Sequence, residues 1–250
     1  MSNDPMHQFH IEPIAPFSIG GWDASFTNAS LFMVAGTAVA SIFMIGAMNK
    51  KAMVPGRAQT AAETAYGFIH SMVKDNAGKE GVKLFFPFVF TLFMFIFMAN
   101  MLGMFPYWFA TTSQIVITAT LALMVFATVL IVGFAKNGLK FFKLFAPSGV
   151  PIVILPFIIL IEIISFFSRP LSHSVRLWAN IFAGHVLLKV FAGFVPMMAG
   201  AGTLGLIGSV LPLLMTTALY ALEFLVAFLQ AYVFAMLTTL YLNDALHPGH

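Results

Sequence analysis

Long apolar runs separated by short polar clusters organise this chain. The first run extends from Leu31 to Met48 and closes on Asn49, Lys50 and Lys51. A second extends from Leu84 to about Phe105, and a third from Ile115 to Ala135. At a rise of about 1.5 Å per residue, each is long enough to cross a hydrocarbon layer of roughly 30 Å. Beyond Pro147 come two much longer stretches, about Val150–Phe194 and Thr203–Leu242. As continuous helices these would each measure roughly 60 Å, about twice the membrane thickness. Each stretch must either fold into two short spans or run as one strongly tilted or bent helix. The internal breakers of the first are Pro156 and Ser168-Arg169-Pro170, and no Gly/Asn/Asp cluster offers a polar turn. That pattern favours two long, tilted helices in one hairpin, turning over residues 196–202.

Residues 58–76 follow a different period. Ala62, Ala65, Tyr66, Ile69, Met72 and Val73 recur at helical spacing, with Glu63, Thr64, Ser71 and Lys74 elsewhere, which predicts an amphipathic helix over about 57–77. It could lie on the membrane surface or pack on the chain's own spans. The fold class read from these patterns is all-α and polytopic. About five membrane-crossing helices and one amphipathic helix are expected, the last two spans forming the hairpin. Residues 1–28 read as a short polar tail, 29–149 as three spans with the amphipathic helix, 150–243 as the hairpin and 244–250 as a second tail.

Composition sharpens this picture. The 250 residues are 60% hydrophobic and 8% charged, against roughly 25% charged in a soluble domain. No cysteine is present, so disulfide, thiolate and iron–sulfur chemistry are excluded. A net charge of +3 is too small to argue for nucleic acid. No GxxxxGK[ST] phosphate loop occurs, no metal or cofactor is expected, and no basic n-region suggests a cleavable signal peptide. The basic residues are unevenly placed. Lys50, Lys51, Arg57, Lys74, Lys79 and Lys83 lie between the first two spans, and Lys136, Lys140 and Lys143 follow the third. The segment from Pro106 to Gln114 carries no Lys or Arg, and the N-terminal tail carries Asp4, Glu12 and Asp23. This asymmetry predicts an N-terminus outside and, after five crossings, a C-terminus in the cytoplasm.

Charges deep in a membrane are costly and mark functional sites. The long hairpin holds Glu162, Arg169, Arg176, Lys189 and Glu223, with His173, His185, Asn180 and Gln230. Arg176 and Asn180 share a helix face one turn apart, and Ser172, Arg169, Ser165 and Glu162 continue nearly the same stripe. His185 lies about half a turn round from Arg176, while Glu223 and Gln230 share a face of the second helix. A single antiparallel stagger aligns Arg176 with Gln230 and His185 with Glu223.

Arginine cannot release its proton and so cannot relay one; it is a fixed positive charge. A titratable pair, a permanent cation and a polar stripe together suggest two half-channels separated by that cation. A moving acid from a partner chain is then needed. The competing reading of Arg176 is a static ion pair with Glu223 or Glu162. Arg169 is expected to pair with Glu162 at i−7 or to snorkel to headgroups. Lys189 reads as an interface anchor, and His173 as a polar neighbour rather than a relay.

The segment Arg176-Leu177-Trp178-Ala179-Asn180-Ile181-Phe182-Ala183-Gly184-His185 resembles the signature of subunit a of F-type ATP synthases. Glu223-Phe224-Leu225-Val226-Ala227-Phe228-Leu229-Gln230-Ala231-Tyr232-Val233-Phe234 is similar to the motif of that family's final helix, and the stretch from Ala99 to Pro106 is also similar. The resemblance implies a stator subunit that exchanges protons with a ring of c subunits, beside b-type peripheral stalk subunits, in a bacterial inner membrane. It implies that Arg176 is the stator arginine, with Asn180 and Gln230 as polar neighbours. His185 and Glu223 become the outer half-channel pair and Glu162 an inner half-channel acid. Many bacterial members place an acid where His185 stands and a histidine where Glu223 stands; this chain has the reverse, as mitochondrial members do. Protons rather than Na⁺ are the family's default cargo.

Other classes fit less well. Two histidines on one helix, roughly 18 Å apart along its axis, cannot jointly ligate a haem. A secondary transporter would carry an internal repeat, and none is found. A purely structural anchor leaves the concentration of charge in one hairpin unexplained.

Overall fold

A computed structural model describes residues 9–19, 22–23, 25–49, 54–105, 108–146, 151 and 153–247. The expectations resting on Asp4, Lys50, Lys51, Pro106, Pro147 and Val150 lie outside these residues. Six α-helices dominate: α1 Asn28–Met48, α2 Arg57–Gly103, α3 Ile115–Asn137, α4 Leu155–Ala199, α5 Thr203–Gly208 and α6 Val210–Leu246. Short 3-10 turns cover Thr111–Ser113 and Gly138–Leu144. Five helical stretches among the described residues are long and apolar enough to cross a membrane. The chain is an all-α, multi-pass membrane protein.

Both long apolar stretches run as long helices. Pro170 sits inside α4 without ending it, although it lacks the N–H that the carbonyl of Phe166 would accept from. Nearby hydroxyls quench backbone acceptors: Ser168 Oγ donates to the Ser165 carbonyl (2.8 Å) and Ser172 Oγ to the Ser168 carbonyl (3.0 Å). The reversal is tighter than the sequence suggests. Pro196 to Ala199 remain helical, and the turn is Gly200-Ala201-Gly202, where Gly202 takes φ 94°. A side chain there would be strained, which is why the turn ends on glycine.

Internal contacts divide the chain into two compact units. Unit 1 comprises Met1–Ala40, Phe95–Gln114 and Leu177–Ala231, and unit 2 Ser41–Met94, Ile115–Arg176 and Tyr232–His250. Helices α1, α2, α4 and α6 each give one segment to both.

Unit 1 is held by a few buried polar clamps. Asn100, 2% exposed, donates from Nδ2 to the Ala227 carbonyl (3.0 Å) and accepts from Thr112 Oγ1 (2.7 Å). Tyr220 donates to the Met104 carbonyl at 2.7 Å. Without water to solvate them, such groups must find partners inside the protein. The described part of the N-terminal tail carries short strands. Strand β1 (Pro13–Ala15) pairs antiparallel with β4 (Phe26–Thr27), and β2 (Ser18–Ile19) with β3 (Trp22–Asp23). Strands of two or three residues are too short to leave an alternation signal. Asn28 fastens this strap to the start of α1: its Nδ2 donates to the His10 carbonyl (3.0 Å) and its Oδ1 accepts from the Glu12 N–H (3.2 Å).

Unit 2 settles the reading of residues 58–76. Gly78, with φ 65°, breaks α2 sharply, a conformation that glycine alone adopts cheaply. The segment before the break folds back on the segment after it, burying Ala62, Ile69, Met72 and Val73. Tyr66 meets Phe86 edge-on (ring centroids 4.7 Å apart) and Phe68 lies 5.2 Å from Tyr232. The apolar stripe therefore packs on the chain's own spans. Elsewhere in the unit Phe141 fills the space that the missing side chain of Gly133 leaves, and Asn137 Nδ2 donates to the Ala245 carbonyl at 2.7 Å.

Candidate functional site

The residues singled out in the sequence fall in both units, since Arg176 closes one segment of unit 2 and Leu177 opens one of unit 1.

In unit 1, α4 and α6 bring His185 Nε2 to 3.6 Å from Glu223 Oε1. Both side chains are buried, at 11% and 4% exposure. Neither Glu223 oxygen nor His185 Nε2 has a hydrogen-bond partner. Burying unsatisfied polar groups costs about 1–3 kcal/mol each, more for charged ones, so two adjacent examples single this pair out as a candidate site. At this separation the two groups are not hydrogen-bonded, and a small side-chain shift would bring them to the roughly 2.6–3.2 Å at which a proton can pass between them. Gly184 makes room for them. A Cβ at that position would stand 2.7 Å from Glu223 Oε1 and 3.0 Å from its carboxyl carbon. Phe182, beside the pair on α4, stacks on Trp178 at 5.5 Å.

Also in unit 1, Asn180 is exposed on α4 and Gln230 is half-buried on α6. Lys189, half-buried, lies one turn beyond His185.

In unit 2, Arg176 is exposed and joins none of the ion pairs formed among the described residues. Around it on α4, Phe167, Leu171 and Val175 are exposed as well, at 62%, 67% and 37%. An exposed guanidinium on an apolar membrane helix costs several kcal/mol unless something else compensates it. Ser165 and Ser172 are exposed, and Glu162 is half-buried.

Arg169 corrects an expectation. Its partner is not Glu162: Arg169 Nη1 donates to Asp244 Oδ2 at 3.0 Å. Its guanidinium also lies over the Tyr241 ring at 5.0 Å and the Phe166 ring at 5.8 Å. An i−7 neighbour is two turns away along the helix, whereas antiparallel α6 brings Asp244 alongside. His173 is buried against Phe234, with ring centroids 3.7 Å apart. Its Nε2 has no partner, and with Arg169 and Tyr241 it lines a small cavity closed by Val125, Phe126 and Phe166.

Sequence reasoning passed over four contributors. Asn100 carried a usable signal, as a lone amide in an apolar span. Gly184, Asp244 and Tyr241 did not, because their roles depend on the register between α4 and α6. Among the described residues no cluster of His, Cys, Asp and Glu could hold a metal ion.

Comparisons with known proteins agree along the whole length. The family described as ATP synthase A chain matches residues 30–243. The chain is 61% identical over 249 residues to ATP synthase subunit a of Rhizobium etli (strain CIAT 652), covering 100% of this chain and 99% of that protein. It is 61% identical over 250 residues to ATP synthase subunit a of Agrobacterium fabrum, covering all of both. Against the Parvibaculum lavamentivorans protein of the same name it is 59% identical, over 99% of this chain and 95% of that one. This chain belongs to the ATP synthase A chain family.

Proposed function

We propose that the chain is the stator through which protons reach and leave a ring of c subunits, with Arg176 separating two half-paths. The observation that carries this reading is the exposed Arg176 on an apolar membrane helix, without an ion-pair partner among the described residues. A charge placed there calls for a counter-charge from another chain, and in this reading a carboxylate of the ring supplies it.

In this mechanism a proton enters from outside past Glu223 and His185, which lie 3.6 Å apart, and neutralises a ring carboxylate. The neutral carboxylate can then rotate through lipid, where a charged one is costly. It returns to the stator, gives its proton to a cytoplasmic path near Glu162, and as an anion is attracted to Arg176. Asn180 and Gln230 line the interface, and Ser165 and Ser172 are secondary members of the cytoplasmic side, with His173 and Arg169 packed beside it as structural neighbours. Each charge moved gains about 2.3 kcal/mol per 100 mV. The hairpin over 150–243 carries the path, the N-terminus lies outside and the C-terminus in the cytoplasm of a bacterial inner membrane. Peripheral stalk subunits of the b type hold the stator still, and nucleotide chemistry occurs elsewhere in the complex.

The test is Arg176→Ala in membrane vesicles carrying the whole complex. Proton-driven ATP synthesis is expected to fall by about two orders of magnitude, the loss of roughly 2.7 kcal/mol of charge stabilisation, with the complex still assembled. Synthesis within twofold of the parent would mean that Arg176 is not the separating charge.

A further inference from the structure

The described residues of the strap between Phe9 and Asn28 in unit 1 are tied to neighbouring elements at Asn28 and Gln114, and Phe9 rests beside the buried pair. Asn28 holds His10 and Glu12 through side-chain bonds of 3.0 and 3.2 Å, and Ser25 Oγ accepts from the Phe17 N–H at 3.1 Å. Gln114 Nε2 donates to the Phe9 carbonyl at 2.8 Å. Residues 10–18 are all exposed, whereas Phe9 is half-buried. Its ring packs on Phe182 at 4.8 Å and meets the His185 imidazole edge-on at 6.5 Å.

A chain merely lying on the surface would turn its polar groups to water and its phenylalanine to any nearby apolar patch. Here the ring is set against a titratable side chain whose Nε2 has no hydrogen-bond partner. We propose that the N-terminal strap is a wall of the access route to the His185–Glu223 pair, and that Phe9 is the residue that seals it. Gln114 fixes the position of that seal by holding its backbone. The functional meaning rests on the proton-path reading above: protons entering this pair must pass beside Phe9, and water is kept from reaching it freely.

The chain contains no cysteine, so one can be introduced as a reporter. In the whole complex in membrane vesicles, His185→Cys places a thiol behind the seal and keeps the Phe9–Phe182 contact. Its reaction with a membrane-impermeant methanethiosulfonate is read on this chain by gel shift. Adding Phe9→Ala is expected to raise the labelling rate about tenfold, the scale of one lost aromatic contact with its buried area. Gln114→Leu should raise it several-fold, and Phe9→Trp should leave it slow. Phe17→Ala, in the same strap at a side chain 61% exposed, is expected to change nothing. A Phe9→Ala rate within twofold of the parent overturns the proposal. So does an equal rise from Phe17→Ala, which would mean general loosening rather than a seal. Labelling needs no proton flow, so this result is independent of the outcome for Arg176→Ala.

Discussion

Two couples of a basic side chain and a carboxylate lie between α4 and α6, one in each unit, and they are finished differently. His185 and Glu223 stand 3.6 Å apart, deeply buried and with no hydrogen bond completed. Arg169 and Asp244 meet at 3.0 Å with 23% and 42% of their side chains exposed, and Tyr241 covers the guanidinium. The second couple is satisfied and accessible to solvent or headgroups; the first is unsatisfied and sealed. Stability argues for completing a buried pair, so an uncompleted one fits the proton uptake and release proposed for it. The contrast teaches that charge within a membrane hairpin is not one category: one couple is completed by a hydrogen bond, and the other, in the reading proposed here, is held ready.

The largest effect expected from this contrast lies at the carboxylates. Glu223→Gln keeps the shape and removes the exchangeable proton, and proton-driven ATP synthesis should fall about 10²-fold, the usual weight of a general acid or base. Asp244→Asn should cost less than about threefold in the same vesicles, since its exposed pairing is worth little. Equal losses from the two would erase the distinction. The next effect in size belongs to Gly184, whose missing side chain leaves room for the Glu223 carboxylate. Gly184→Ala should displace that carboxylate and slow synthesis about tenfold or more, because errors near 1 Å in placing a reacting group can cost about 10². Shortening the acid with Glu223→Asp in the Gly184→Ala background should recover part of the rate. If the double variant is no better than the product of the singles, the two positions are not coupled.

A stability effect comes next. Asn100→Leu leaves the Ala227 carbonyl and Thr112 Oγ1 without their buried partner. It should destabilise unit 1 by about 1–3 kcal/mol, seen as earlier thermal loss of this chain from the purified complex. An unchanged midpoint would mean that the clamp is dispensable and that α6 is held near Glu223 by packing alone.

How much of this could be read in advance divides along physical lines. Apolar runs marked α1, α3 and the hairpin helices closely, because lipid demands an unbroken stretch of apolar residues whatever the tertiary contacts. The 3.6-residue period of residues 58–76 marked a helix but not its location, since an apolar stripe serves a membrane surface and a neighbouring helix equally well. Only the break at Gly78 decides that, by folding the stripe back so that Tyr66 meets Phe86. Antiparallel stagger placed His185 opposite Glu223 because both sit well inside long regular helices. Arg169 was misassigned because partners along one helix were weighed against headgroups, while Asp244 lies 75 residues away in sequence. Phe9 was invisible for the same reason, its neighbours Gln114, Phe182 and His185 being more than a hundred residues distant.

The smallest expected effect is also the sharpest test of the contrast. Arg169→Met removes the bond to Asp244 and the contact with Tyr241 while keeping most of the apolar stem. With its partner 42% exposed, the ion pair should contribute no more than about 1 kcal/mol, and the guanidinium over the ring a similar amount. A double-mutant cycle with Asp244→Asn isolates the pair from the ring contact, since the aromatic term is lost in both variants that lack the arginine. A coupling below about 1 kcal/mol in thermal stability, with synthesis nearly unchanged, leaves Arg169 as a fastening between α4 and α6. A loss of synthesis approaching that of Glu223→Gln would instead put Arg169 in the conducting path. The cavity it shares with His173 would then be part of the same device, and the division between a finished couple and one held ready would fail.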